Sequence, residues 1–212
     1  TKRLGEPTDD LKDLYKRLHA ALEGHTLAIS LAAAQLSERG LDEAEHYTAR
    51  LERLIREAKA GADPFTNLDM DDTDKTLSVA VTLEDSYKTL KPDLQRRFRQ
   101  LGIFAPDGTF DAKAAAAVWA EPVEDAPEYL RVLVGASLLS DAGDGRYDQH
   151  ALLRAHARAR MSLEEKRATF DRYADHVIML TLQFDQLPRE EWKQLDPEVP
   201  HIDAVGDELM RL

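Results

Sequence analysis

The chain has 212 residues and is acidic, with 40 Asp and Glu against 28 Lys and Arg and a net charge of −12. This charge opposes non-specific attraction to phosphate backbones and anionic membranes. The absence of cysteine excludes disulfides, thiol catalysis and cysteine-based zinc sites, and is compatible with a reducing cytoplasm. The length suits one large or two small domains, and the hydrophobic fraction of 43% is enough to form their buried cores.

No apolar run reaches the roughly 18 to 20 residues that a membrane span needs, so we expect no membrane partner. The polar start of the chain has no signal-peptide core, which favours a cytoplasmic location. The chain does not begin with Met, and we interpret it as a fragment of a longer protein.

Helical periodicity begins near the N-terminus. Apolar residues recur there at spacings of three and four and predict a helix that ends near Gly24. Two further helices are predicted over 26–38 and 41–59. The Gly, Pro and Asp content of the next stretch predicts a linker over 63–75, so the first domain is a helical bundle over 1–62.

A second domain is predicted over 76–161. Pro92 can open a helix, because proline is tolerated in the first helical turn. Several helices precede Gly143-Asp144-Gly145, whose glycines suit the positive φ of a hairpin turn. Helices followed by a hairpin and a further helix have the order of a winged helix. The predicted fold class is mainly α, with this hairpin as the only strand signal.

The C-terminal segment, 162–212, is predicted to be helical. Ser162 can cap a long helix whose first turn carries Glu164 and Glu165. Pro188 ends that helix, and an apolar series continues beyond it. No full repeat of about 34 residues is visible, so we interpret the segment as a helical linker or the start of a helical repeat array.

Motifs of catalysis are missing from the sequence. None of the ten glycines is followed by Lys and Ser or Thr, as a P-loop requires for holding phosphates. Gly135-Ala136-Ser137 continues into Leu138, so it is not a nucleophile elbow. We therefore expect no enzyme activity from this chain alone.

Metal sites are not expected either. An acidic cluster resembles the start of a calcium loop, but Asp74 stands where such a loop needs Gly. His46, His156 and His176 lie on predicted helices without a second ligand at zinc-binding spacing. The acidic cluster consists of Asp69, Asp71, Asp72 and Asp74.

Four short motifs follow one another between Leu83 and Ala159. They are SYxxL, FxxLxxF, SLL and RYxxHxLLRxxA, which begin at Ser86, Phe98, Ser137 and Arg146. In this order and at about this spacing they resemble the winged-helix module of the NB-ARC signal-transduction ATPases, members of the STAND class. In that family the module is a lid that senses nucleotide.

Two short motifs of the resemblance imply contacts with ADP. Gly24-His25-Thr26-Leu27-Ala28 is similar to the family's GxPLA motif, in which the proline, here Thr26, lies beside adenine. Gln149-His150-Ala151 stands at the family's Met-His-Asp motif, whose histidine donates to the β-phosphate. The resemblance therefore implies a cofactor site at His150, His25, Thr26 and Leu27. From the residues alone, the alternative is that His150 starts the helix and satisfies a nearby carbonyl.

The implied function is the regulatory portion of a nucleotide-dependent switch. ADP or ATP is expected only in a full-length protein, where this segment would close on a nucleotide-binding domain of the same chain. Exchange of ADP would let the lid swing and permit self-association or binding of a protein partner.

Two alternatives remain open from the sequence. The first is a winged-helix transcriptional regulator that contacts DNA through arginines of the last winged-helix element, although the net charge makes nucleic acid a poor partner. The second is a helical interaction scaffold that binds neither nucleotide nor DNA. The arginines are Arg146, Arg154, Arg158 and Arg160.

Overall fold

The computed structural model describes residues 9–37, 41–59, 75–186 and 188–211. It is mainly helical and carries one small antiparallel sheet, which confirms the predicted fold class. The chain forms two compact units, Thr1–Leu90 and Lys91–Leu212, and each is considered by itself. The predicted linker lies outside the described residues apart from Lys75, which starts a helix.

Four helices form the described part of the first unit: α1 Asp9–Ala21, α2 Thr26–Ser37, α3 Leu41–Lys59 and α4 Lys75–Thr89. Helix α1 packs against α3, while α4 packs against both α2 and α3. The first three helices match the sequence prediction, except that residue 38 lies outside the described residues. The largest fully buried side chains of this unit are Leu22, Leu31, Tyr47 and Leu51.

Helix α4 is buried at every position from Ser78 to Tyr87. This stretch falls within the domain predicted over 76–161, but in the structure it contacts α2 and α3 of the first unit. The Asp85 carboxylate accepts hydrogen bonds from the Arg50 guanidinium of α3 at 2.5 and 2.6 Å. A helix with apolar residues on several faces gives no periodic signal for which neighbour it packs on.

The second unit starts with α5 Pro92–Leu101, β1 Phe110–Asp111, α6 Ala112–Trp119 and α7 Ala126–Gly135. A hairpin of β2 Ser140–Gly143 and β3 Arg146–Asp148 follows, and then α8 Ala151–Ala159. Pro92 stands at the start of α5, as predicted. The hairpin turn has positive φ at Gly143 (84°), Asp144 (50°) and Gly145 (71°), which also agrees with the prediction.

The sheet has three strands, so the prediction of a single hairpin was incomplete. Strand β1 pairs antiparallel with β3 in the order β1-β3-β2, with Phe110 opposite Tyr147. Two residues are too short a stretch to show the alternation that reveals a strand in a sequence. Phe110 is fully buried, and Asp111 caps α6 by accepting from the Ala114 amide at 2.8 Å.

Arg97 joins three helices of the second unit. Its guanidinium lies 3.7 Å from the ring centroid of Tyr129 on α7 and donates to Glu121 at 2.8 Å. Its backbone carbonyl accepts from the Trp119 indole at 3.0 Å. Burial alone would raise the pKa of the Glu121 carboxyl, but hydrogen bonds from Arg97 and Arg96 hold that pKa below its usual value.

The chain ends in α9 Leu163–Asp185, a 3₁₀ helix Arg189–Glu198 and α10 Val199–Leu209. The Ser162 hydroxyl accepts from the Glu165 amide at 3.0 Å, which confirms the predicted cap. Helix α9 packs against α6 and α10. Among the described residues, none of the helices combines the length and the apolar character that a membrane span requires.

Candidate functional site

The predicted adenine motif forms a tight turn between α1 and α2 in the first unit. Gly24 has φ +70° and its amide donates to the His19 carbonyl at 3.2 Å. The Ile29 amide donates to the His25 carbonyl at 3.0 Å, so His25, and not Thr26, takes the N-cap position of α2. Thr26 is exposed and Leu27 half-buried.

His150 is the N-cap of α8 in the second unit. Its Nδ1 accepts a hydrogen bond from the Leu152 amide at 3.2 Å, and its carbonyl accepts from the Arg154 amide at 3.0 Å. A nitrogen that accepts carries no proton, so the proton of the neutral ring lies on Nε2. The residue is exposed. The cap therefore leaves His150 with an N–H donor on the opposite side of the ring from α8.

The four arginines that the DNA-binding alternative requires form hydrogen bonds within the second unit. Arg146 donates to the Thr109 hydroxyl at 2.7 Å and to Glu198 at 2.6 Å. Arg154 is only 4% exposed and donates to the Pro106 carbonyl at 2.5 Å. Arg158 donates to the Gly102 and Phe104 carbonyls, the latter at 3.1 Å. Arg160 donates to the His156 ring at 2.9 Å.

A buried polar cluster lies where α9 and α10 meet the chain before β1. We call Thr109, Tyr173 and His201 the His201 cluster. His201 Nε2 lies 2.9 Å from the Thr109 carbonyl, and Nδ1 lies 2.8 Å from the Tyr173 hydroxyl. Because a carbonyl only accepts, Nε2 must donate and Nδ1 must accept from Tyr173. His201 is 1% exposed and Tyr173 2% exposed, so both polar groups depend on these bonds.

Aromatic rings enclose the His201 cluster. Phe104 stacks on Phe110 with ring centroids 4.2 Å apart, and it meets the Tyr173 and His201 rings edge to face. Burial lowers the pKa of the His201 imidazole, although its bond to Thr109 opposes this shift. Burial also raises the pKa of the Tyr173 hydroxyl. The arrangement holds a neutral imidazole in an apolar shell and serves to join α10 to the sheet.

We expect the second unit to lose stability as the pH falls through about 6.5, the ordinary histidine value. His201 and His176 both have a lowered pKa because of burial, so the unfolded chain takes up more protons than the folded chain below that pH. The contribution of these two histidines to the free energy of unfolding is therefore fully present above about pH 6.5 and declines below it. Urea unfolding between about pH 7.5 and 5.5, followed by the fluorescence of buried Trp119, measures the decline.

The variant His201→Gln separates the two histidines. It should be less stable than the parent protein at every pH, but it should lose less stability on acidification because the remaining contribution comes from His176. If the parent and the variant lost stability in parallel, His201 would not be a source of the pH dependence.

Among the residues that the structure describes, no group of three or more His, Asp and Glu side chains could hold a metal ion. His46 is exposed, while His156 is 2% exposed and lies 6.2 Å from the Phe98 ring. The acidic cluster that resembles a calcium loop lies outside the described residues.

Comparison with known proteins finds similarity to two regulatory proteins. No protein-family model matches the chain. It is similar to the regulatory protein AfsR of Streptomyces coelicolor, with 35% identity over 136 residues, which is 63% of this chain and 12% of that protein. The regulatory protein AfsR of Streptomyces griseus is 32% identical over 143 residues, covering 66% of this chain and 13% of that protein. The chain thus spans only 12 to 13% of the length of these relatives.

The buried cluster at His201 was not predicted from the sequence. Its hydrogen-bond partner Thr109 is 92 positions away along the chain, and nothing local links the two residues. The available signal was an isolated histidine within an apolar series in the C-terminal segment. Tyr173 falls within the long helix predicted after Ser162, where no local signal indicates its bond to His201.

Proposed function

We propose that this chain is the regulatory part of a nucleotide-dependent signalling switch of the NB-ARC type and is not catalytic alone. The order α5-β1-α6-α7-β2-β3, with the sheet order β1-β3-β2, supports a winged helix within the second unit. The similarity to two proteins described as regulatory supports a role in regulation. In this proposal the second unit acts as a lid that responds to ADP bound by a further domain.

The geometry of His150 carries the proposal. The residue stands two positions after the end of β3, at the start of α8, and the Leu152 amide fixes its ring by donating to Nδ1. The exposed Nε2–H is then a single, oriented donor for a phosphate oxygen. A hydrogen bond to a charged group contributes about 1.5 to 3 kcal/mol, which corresponds to roughly 10- to 100-fold in affinity. That difference is large enough to bias a two-state lid.

The variant His150→Asn tests this role in the full-length protein. Asparagine is a good N-cap and keeps an acceptor for the Leu152 amide, but it cannot present the distal N–H. We expect ADP to dissociate roughly tenfold faster and spontaneous activation to rise. Release of labelled ADP measures the first effect, and the oligomeric state measured by light scattering reports the second.

The variant His150→Ala is the companion, since it removes both the cap and the donor. We expect it to match Asn in ADP release but to be less stable by about 1 kcal/mol. Unchanged ADP release from both variants would rule out the phosphate contact. Loss of ADP from Ala alone would show that His150 acts only as a helix cap.

The DNA-binding alternative receives less support from the second unit. Helix α7 is the third helix of the proposed winged helix, the position from which such modules read DNA. Its exposed charged side chains are Glu128 and Arg131, one of each sign. This alternative requires Arg154 and Arg158 to contact the DNA backbone, but both side chains already donate to carbonyls of the protein backbone.

A further inference from the structure

An open groove lies in the second unit, beside the N-terminal half of α9. Its walls come from α9 and from Ala204 and Glu208 of α10, and Ile103 and Arg158 complete the lining. The cavity has a volume of about 540 Å³. This lies within the range of roughly 300 to 1,000 Å³ that is usual for small-molecule sites. His150 is not among the lining residues, so the groove is distinct from the predicted phosphate contact.

Three cationic side chains line this groove. Lys166 and Arg167 are exposed on α9 and, within the described part of the chain, form no ion pair within 4 Å. Arg158 donates to the backbone carbonyls of residues 102–104 and interacts electrostatically with Glu208. The acids Asp171 and Glu208 also line the groove, which leaves an excess of one positive charge. This local excess is opposite in sign to the net charge of the chain and favours an anionic ligand at the groove.

Apolar side chains also line the groove. Leu163 and Phe170 share one face of α9 with Arg167, which stands between them in the sequence. Leu163 is 88% exposed. Ile103 is a further apolar residue of the lining. A ligand in the groove would therefore meet cationic side chains beside aliphatic and aromatic carbon.

We propose that the groove binds a small amphipathic organic anion, with a compact apolar or aromatic body and one carboxylate, sulfonate or phosphate group. Lys166 and Arg167 attract the acidic group, while Leu163 and Phe170 contact the apolar body. This site is independent of nucleotide sensing by His150.

The dye 8-anilinonaphthalene-1-sulfonate has the proposed chemistry and becomes fluorescent when it binds. N-phenyl-1-naphthylamine has a similar apolar body without the sulfonate and serves as the neutral probe. We expect the unmodified chain to bind the sulfonate dye saturably at one site. The double variant Lys166→Gln/Arg167→Gln should raise the Kd of that dye roughly tenfold. The same variant should leave the Kd of the neutral probe within about twofold, and Phe170→Ala should weaken both probes.

A matched control is the double variant Arg189→Gln/Lys193→Gln. It makes the same change in net charge at two exposed positions of the 3₁₀ helix that do not line the groove. It should bind both probes as the unmodified chain does. The proposal is overturned if the control weakens the sulfonate dye as much as the groove variant does. It is overturned equally if the groove variant binds that dye normally, or if no saturable binding is seen.

Discussion

Replacing Gly108 with alanine is expected to destabilise the second unit by about 2 to 3 kcal/mol. A Cβ atom at this position would lie 2.6 Å from Nε2 and 2.7 Å from Cε1 of His201. The imidazole has no room to move, because it is 1% exposed and is held by Thr109 and Tyr173. The added methyl group therefore forces a shift that breaks at least one hydrogen bond. Urea unfolding followed by Trp119 fluorescence measures the change.

Gly135→Ala provides the matched control for this substitution. Gly135 is the last residue of α7, and a Cβ atom there would meet no atom within 4 Å. Alanine favours a helix over glycine by up to about 1 kcal/mol, so this variant should be as stable as the parent protein or slightly more stable. Equal stability of the Gly108 and Gly135 variants would show that His201 does not fill the space beside Gly108 in solution.

Phe104→Ala should have the largest effect of the substitutions considered, about 3 to 5 kcal/mol. Phe104 is 1% exposed and contacts the rings of Phe110, Tyr173 and His201. Truncation leaves a cavity in the aromatic shell and opens the His201 cluster to solvent. Chemical denaturation of the purified chain gives the free energy difference.

Met210→Ala is the control for the loss of a large apolar side chain. Met210 is 81% exposed, so its truncation should change the free energy of unfolding by less than about 0.5 kcal/mol. A loss below about 1 kcal/mol for Phe104→Ala would contradict the tight packing of the aromatic shell. Because Phe104 and Gly108 both act on His201, the effects of the two substitutions should not add in a double variant.

The helices of this chain were predictable because their signals are local. Leucine spacing, the turn at Gly24, Pro92 at a helix start and the Ser162 cap each act within a few residues, and the structure shows the corresponding elements. The contacts of α4 were not predictable, since a helix buried on several faces has no single apolar stripe. Strand β1 was missed because its two residues depend on pairing with β3, which lies more than 30 positions later.

Charge in the sequence also gave no information on burial. Arg154 and Arg146 were interpreted as candidates for an exposed basic surface, yet each binds backbone or acidic groups within the second unit. Their partners, Pro106 and Glu198, lie 48 and 52 positions away. By contrast, His150 was identified from the order of short motifs. It does start a helix, but its ring accepts from the Leu152 amide, whereas the alternative expected it to donate to a carbonyl. Its role toward ADP remains a prediction.

The position of His201 has a consequence for where this protein can be divided. The imidazole comes from α10, but its hydrogen bond to Thr109 and the bond from Arg146 to Glu198 hold the last helical segment on the sheet. A chain shortened before Arg189 would keep every strand of that sheet and still lack part of its interior. An insertion is therefore better tolerated at the exposed hairpin turn than near the start of α10.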